Sequence, residues 1–131
     1  MAKTQLCGNK WISLMQNDQG TISVKMDDGV TLVAVNAQGK VYLITEPSVA
    51  YDGLRSFLPP PGALEPDEDP LEAANRELQE EIGYKAIRID PLGVIYLSFK
   101  YVEQKSHVFL LRDLEESWID GDEPEGWVQI Q

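Results

Sequence analysis

Three carboxylates, Glu77, Glu80 and Glu81, stand three and four residues apart in the middle of the chain. On a helix that spacing puts Glu77 beside both of the others. At about 100° per residue the three span an arc of roughly 100°. Like charges so placed destabilise an isolated helix by about 0.2–0.5 kcal/mol per pair. A hard divalent cation offsets the repulsion, because Mg²⁺ and similar ions prefer carboxylate oxygen. The chemistry on offer is cation-assisted handling of phosphate. The plainer alternative is a solvated acidic helix face.

The elements that must position these carboxylates are readable nearby. Asp69 is a good N-cap, Pro70 fits the first helical position, and Glu72 completes a capping box. Gly83 is a natural stop. Between them Leu71, Ala74, Leu78 and Ile82 share one apolar face, beside the acidic arc. A long Pro- and Gly-rich loop, Glu46 to Glu68, precedes the helix, and loops of that length are commonly functional. Strands are expected at Thr21 to Met26 and Val30 to Val35, which flank the hairpin signal Asp27-Asp28-Gly29. Further strands are expected at Lys40 to Thr45, Leu92 to Phe99, His107 to Arg112 and Trp127 to Ile130.

The chain has 131 residues, the size of one domain spanning 1–131. It carries 22 acidic against 11 basic residues, a formal net charge of −11. That balance argues against nucleic acid or an anionic membrane as partner, since both call for clustered Lys and Arg. Fifteen of the 22 acids fall in two segments, 65–81 and 113–125. The second reads as a loop between strands. Cys7 is a lone cysteine, which excludes an intrachain disulfide and a Cys-rich zinc site. The opening residues lack the apolar stretch of a signal peptide, and no run approaches membrane-spanning length. A cytoplasmic protein is the expectation.

The segment Gly62 to Tyr84 resembles the signature of the Nudix hydrolases. Gly62, Glu68, Arg76, Glu77, Leu78, Glu80, Glu81 and Gly83 match its fixed positions, and Tyr84 fills the last hydrophobic one. The resemblance implies a mixed β-sheet in an α/β/α sandwich, and a metal-dependent hydrolase. It casts Glu77, Glu80 and Glu81 as ligands of Mg²⁺ or Mn²⁺, joined by the backbone carbonyl of Pro61. Glu80 and Glu81 also become catalytic groups, and Glu68 and Arg76 an ion pair that locks loop to helix. Many members add a loop carboxylate after the box, as metal ligand or general base. Glu123 and then Glu125, in Gly121 to Glu125, best fit that part, although an acidic loop that is merely solvated fits as well.

The wider chain is similar to the branch that splits ADP-ribose and other ADP compounds. Ala73 to Leu78, Lys105, Asp113-Leu114 and Gly121 to Glu125 carry that likeness. The implied substrate is a nucleoside diphosphate linked to a second moiety, of ADP-ribose, ADP-sugar or dinucleoside polyphosphate type, with release of a nucleoside monophosphate. Two departures bear on it. Phe99 stands where ADP-ribose enzymes usually carry Pro, and Tyr101 near where dinucleoside polyphosphate enzymes often carry Tyr. Either ring can stack on a base; both can equally pack in the core or an interface. His107 reads as structural. Trp11, Trp118 and Trp127 are open between core, interface and stacking. The resemblance implies a second main helix after the last strand, and no helix of comparable quality is expected there in this sequence. A half-covered apolar sheet then predicts a homodimer, or packing by the N-terminal segment. The rival functions are nucleoside triphosphate pyrophosphohydrolysis and metal-dependent metabolite binding without catalysis.

Overall fold

In the computed structural model, residues 1–117 and the backbone of 128–130 are described. The helix forms where its signals place it. α1 spans Pro70–Ile82 and stops at Gly83, whose left-handed φ of 73° and N–H bond to the Gln79 carbonyl close the last turn. Asp69 is the N-cap by backbone, its carbonyl accepting from Ala73 N, but its side chain makes no capping bond. The expected capping box is therefore not formed. Ala74, Leu78 and Ile82 are buried as their spacing predicts, and Ala73 joins them. Leu71, expected on the same face, is 42% exposed. It lies in the first turn, before the helix meets the sheet.

The central sheet runs in the order β7 (Pro61–Ala63), β4 (Gly29–Ala34), β10 (Lys105–Glu116), β8 (Tyr84–Tyr96). β4 and β10 are parallel, with Leu32 opposite Phe109; β8 and β7 run antiparallel to their neighbours. Val30, Leu32 and Ala34 alternate along β4 and pack with Phe109, Leu111, Ala86 and the apolar stripe of α1. Side chains tie helix to sheet: Asn75 Oδ1 accepts from Ala86 N at 3.1 Å, and Gln79 Nε2 donates to Ser117 Oγ at 2.9 Å. Among the described residues α1 is the one helix, and none is long and apolar enough to cross a membrane.

Two smaller sheets flank this core. One is ordered β1 (Lys3–Gly8), β2 (Ile12–Asn17), β3 (Ile22–Met26), β9 (Val102–Glu103). The other is β11 (Val128–Ile130), β5 (Tyr42–Pro47), β6 (Arg55–Leu58). The expected hairpin about Asp27-Asp28-Gly29 is absent. β3 pairs with β2 and β9, while β4 pairs with β7 and β10, so the chain changes sheet at this corner. Distant partners hold it there. Gln104 Nε2 donates to the Asp27 carbonyl and Lys105 N to Asp28 Oδ1. The segment before α1 is not a plain loop either, since β6 returns on β5 and β7 joins the central sheet. β8 ends at Tyr96, and residues 97–101 form turns rather than the strand end expected there. Asp113, Glu115 and Glu116, expected in a loop, belong to β10.

Candidate active site

Glu77 is the innermost of the three helix carboxylates. It is 8% exposed, the one buried acid among the described residues. It faces Gly62 on β7, and that glycine is obligatory for the contact: a Cβ added there would lie 2.1 Å from Glu77 Cγ and 2.3 Å from Cδ. Burial pushes the Glu77 carboxyl above the usual carboxylate range, although the neighbouring Arg76 charge pulls it down.

Arg76 organises the cluster. Its Nε and Nη2 donate to the two oxygens of Glu68 at 2.8 and 2.9 Å, a bidentate fork. Nη2 also reaches the Ala63 carbonyl at 3.0 Å. Nη1 donates to Glu77 Oε1 at 3.0 Å and to Glu80 Oε2 at 3.1 Å. One guanidinium thus joins the loop, β7 and two of the three helix carboxylates. The Arg76 bond, with a second from Glu65 N, holds the Glu68 carboxyl down to about 2. Asp67, at φ 62°, supplies the left-handed turn that brings Glu68 round to Arg76.

Glu81 follows on the same helix and is partly buried. Pro61 begins β7 opposite Thr31, next to Gly62. The donors on offer are carboxylates and a backbone carbonyl, all oxygen, which suits a hard divalent cation. Among the described residues, however, no three His, Cys, Asp or Glu side chains are gathered as a ready ligand group. The cation in this cluster is Arg76.

The other expected site residues separate. Glu123 and Glu125 lie outside the described residues, as do Trp118 and Trp127. Phe99 and Tyr101 are 75% and 55% exposed, so neither is a core residue. Both line a cavity of about 630 Å³ between β3, the 97–101 turn and the start of β10. Tyr96 meets Phe99 edge to face there, with ring centroids 5.3 Å apart. His107 lies near the start of β10, between Val30 and Val94. Trp11 is exposed, with Lys10 Nζ 4.3 Å from its ring centre. Sequence reasoning did not find the Ala63 carbonyl, which no side-chain pattern marks, nor the Tyr96 edge of the cavity.

A mixed sheet carrying one helix, with a glycine-fitted glutamate and an Arg–Glu lock, defines the Nudix class of domain. Residues 25–131 match the NUDIX domain, and the chain belongs to that family. It is 32% identical over 136 residues to an ADP-ribose pyrophosphatase of Bacillus subtilis (strain 168), covering 94% of this chain and 72% of that protein. It is 36% identical over 70 residues to the ADP compounds hydrolase NudE of Escherichia coli (strain K12). That match covers 53% of this chain and spans only 38% of the relative. A bis(5'-nucleosyl)-tetraphosphatase (asymmetrical) of Rattus norvegicus is 39% identical over 56 residues, 43% of this chain and 38% of that protein. In fold, the whole chain superposes on 75% of a crystallised ADP compounds hydrolase, with a TM-score of 0.75 at 23% identity.

Proposed function

We propose that the chain is a Nudix pyrophosphohydrolase that cleaves the diphosphate of an ADP-ribose-like or other ADP compound with Mg²⁺ or Mn²⁺. The observation that carries this reading is the Gly62–Glu77 fit: a buried carboxylate is kept beside the box loop by a glycine that leaves room for nothing else. The likeness to an ADP-ribose pyrophosphatase over most of both chains supports the substrate class.

Glu77, Glu80 and Glu81, with the Pro61 carbonyl, would hold the divalent cation. When bound, such an ion acidifies water, orients the diphosphate and offsets its charge. The chain's own residues supply position. The Glu68–Arg76 fork fixes the box loop against α1, so the carbonyl of Pro61 and the carboxylate of Glu77 keep their distance from each other. Positioning and electrostatics dominate phosphoryl transfer, so rigidity here is catalytic capital. Glu123 or Glu125 would supply the additional carboxylate, and Phe99 and Tyr101 the faces for a base. A homodimer and a cytoplasmic setting belong to the same reading. The dimer is supported by β8, an edge strand whose Leu92, Val94, Ile95 and Tyr96 are all exposed.

Replacing Glu81 by Gln tests the assignment. Turnover of ADP-ribose with Mg²⁺ should fall by orders of magnitude while circular dichroism and the melting temperature stay close to wild type. A variant that keeps wild-type turnover refutes the ligand assignment. Pyrophosphate released from nucleoside triphosphates, with ADP-ribose untouched, would instead favour the triphosphate activity.

A further inference from the structure

The cavity beside Phe99 carries a charge opposite to that of the rest of the molecule. Lys3, Lys25, Lys100 and Lys105 all line it, four of the chain's 11 cationic residues. Three acids share the lining, so the wall is positive by one in a chain of net charge −11. One of these acids, Asp28, accepts from Lys105 N. Among the described residues none of the four lysines is in an ion pair, whereas Arg76, Arg88 and Arg112 all are. Lys100 Nζ lies over the Tyr101 ring, 5.3 Å from its centre. Three aromatic rings, Tyr96, Phe99 and Tyr101, are left more than half exposed around the same space. At about 630 Å³ the cavity falls within the size of small-molecule sites, roughly 300–1,000 Å³.

The cavity is also joined to the box. Asp28 is in its wall, and the Asp28 carbonyl accepts from Leu64 N at 3.1 Å. Leu64 follows Ala63, whose carbonyl receives Arg76. Gly29, next to Asp28, lies opposite Ala63 on β7, about 5 Å away across the strand spacing. The wall of the cavity and the box loop are thus tied through the backbone of Asp28 and Leu64.

We propose that this cavity is a binding site for a nucleoside group bearing phosphate beyond the bond that is cut, with lysines on the phosphate and Phe99 or Tyr101 on the base. The assignment rests on the hydrolase reading for its place in catalysis, and deepens it. It makes Lys25 and Lys105 specificity-determining residues that favour longer phosphorylated substrates over ADP-ribose itself. Ammonium–phosphate attraction across a wet cavity is screened by salt, so that preference falls as ionic strength rises. Base stacking on an exposed ring adds affinity without reading the identity of the base.

Two measurements test it. In EDTA, which removes divalent cations from the carboxylates, calorimetry should detect ATP binding to the wild type, tighter than inorganic tripolyphosphate. The Lys25→Ala/Lys105→Ala variant should bind ATP at least tenfold more weakly, and Phe99→Ala should erase the advantage of ATP over tripolyphosphate. With Mg²⁺, the lysine variant should raise KM for diadenosine tetraphosphate at least tenfold more than KM for ADP-ribose, with kcat changed far less. Unchanged ATP binding in the lysine variant, with its melting temperature intact, overturns the assignment. So does an equal rise in KM for both substrates. Wild type that binds ATP in EDTA but turns over no substrate refutes the hydrolase reading and leaves the cavity assignment standing.

Discussion

Substituting Gly62 by Ala is the sharpest perturbation of the site. Its backbone lies outside the left-handed region, so alanine meets no conformational penalty of its own. The damage comes from one neighbour. All three nearest atoms to the added Cβ belong to Glu77, at 2.1, 2.3 and 2.8 Å, far inside contact distance. Glu77 must therefore leave its rotamer, at about 0.5–1.5 kcal/mol. It also gives up the bond from Arg76 Nη1, worth roughly 1.5–3 kcal/mol for a charged partner. The total is about 2–4.5 kcal/mol, equivalent to a fall in melting temperature of roughly 5–20 °C at this size. Turnover should fall further than stability explains, because the displaced group is a proposed ligand. The assay is a double-mutant cycle read by urea unfolding. Glu77→Ala removes the clash, so Gly62→Ala should cost under about 0.5 kcal/mol in that background. If Gly62→Ala destabilises both backgrounds equally, or leaves stability and turnover untouched, the reasoning about Glu77 is wrong.

Acid should loosen the box before it unfolds the core. The Glu68 carboxyl is held at about 2 against an ordinary 4.5, so its stabilisation is full above pH 4.5 and lost as pH falls towards 2. Allowing for solvent screening at the rim, it is worth about 2 kcal/mol; Glu68→Gln should flatten that part of the pH–stability curve. Glu77 works in the opposite sense, since its raised carboxyl opposes folding once ionised, and removing it should steepen the same curve. Leu78→Ala empties a fully buried position between α1 and the sheet and should cost about 3 kcal/mol in chemical denaturation. Sedimentation equilibrium at micromolar concentration should give twice the chain mass, and Val94→Asp at the β8 edge should return it to one; a wild-type monomer would exclude the dimer.

The helix and its box were legible because their signals are local. Ala74, Leu78 and Ile82 recur at the helical period, and Pro70 and Gly83 mark the ends. Even there the capping box misled, since Asp69 caps through its backbone while its side chain makes no bond. The Asp27-Asp28-Gly29 turn failed for the opposite reason. Its residues favour a hairpin locally, but Gln104 and Lys105, 77 residues away, fix it as a corner between sheets. β1 left no trace, because it is exposed along its whole length, and β2 is half-buried at all but its first residue, so neither shows a burial alternation to read. The Gly62–Glu77 contact was not legible: the resemblance gave both residues as box positions but did not pair them. Its physical reason, space, becomes visible only once β7 and α1 are adjacent.

Arg76 has a consequence for how the site trades one cation for another. Its Nη1 already occupies oxygens of Glu77 and Glu80. Under the proposed function, a divalent ion would compete with a tethered guanidinium for those oxygens, and its apparent affinity would be the difference between the two. The guanidinium is tethered, because its Nε and Nη2 donate to Glu68 and the Ala63 carbonyl. Arg76 Nη1 lies between the carboxylates of Glu77 and Glu80 and spares them mutual repulsion. The arginine is thus a resident counter-charge that keeps the acidic face assembled, and under the proposed function it would be the placeholder for the metal.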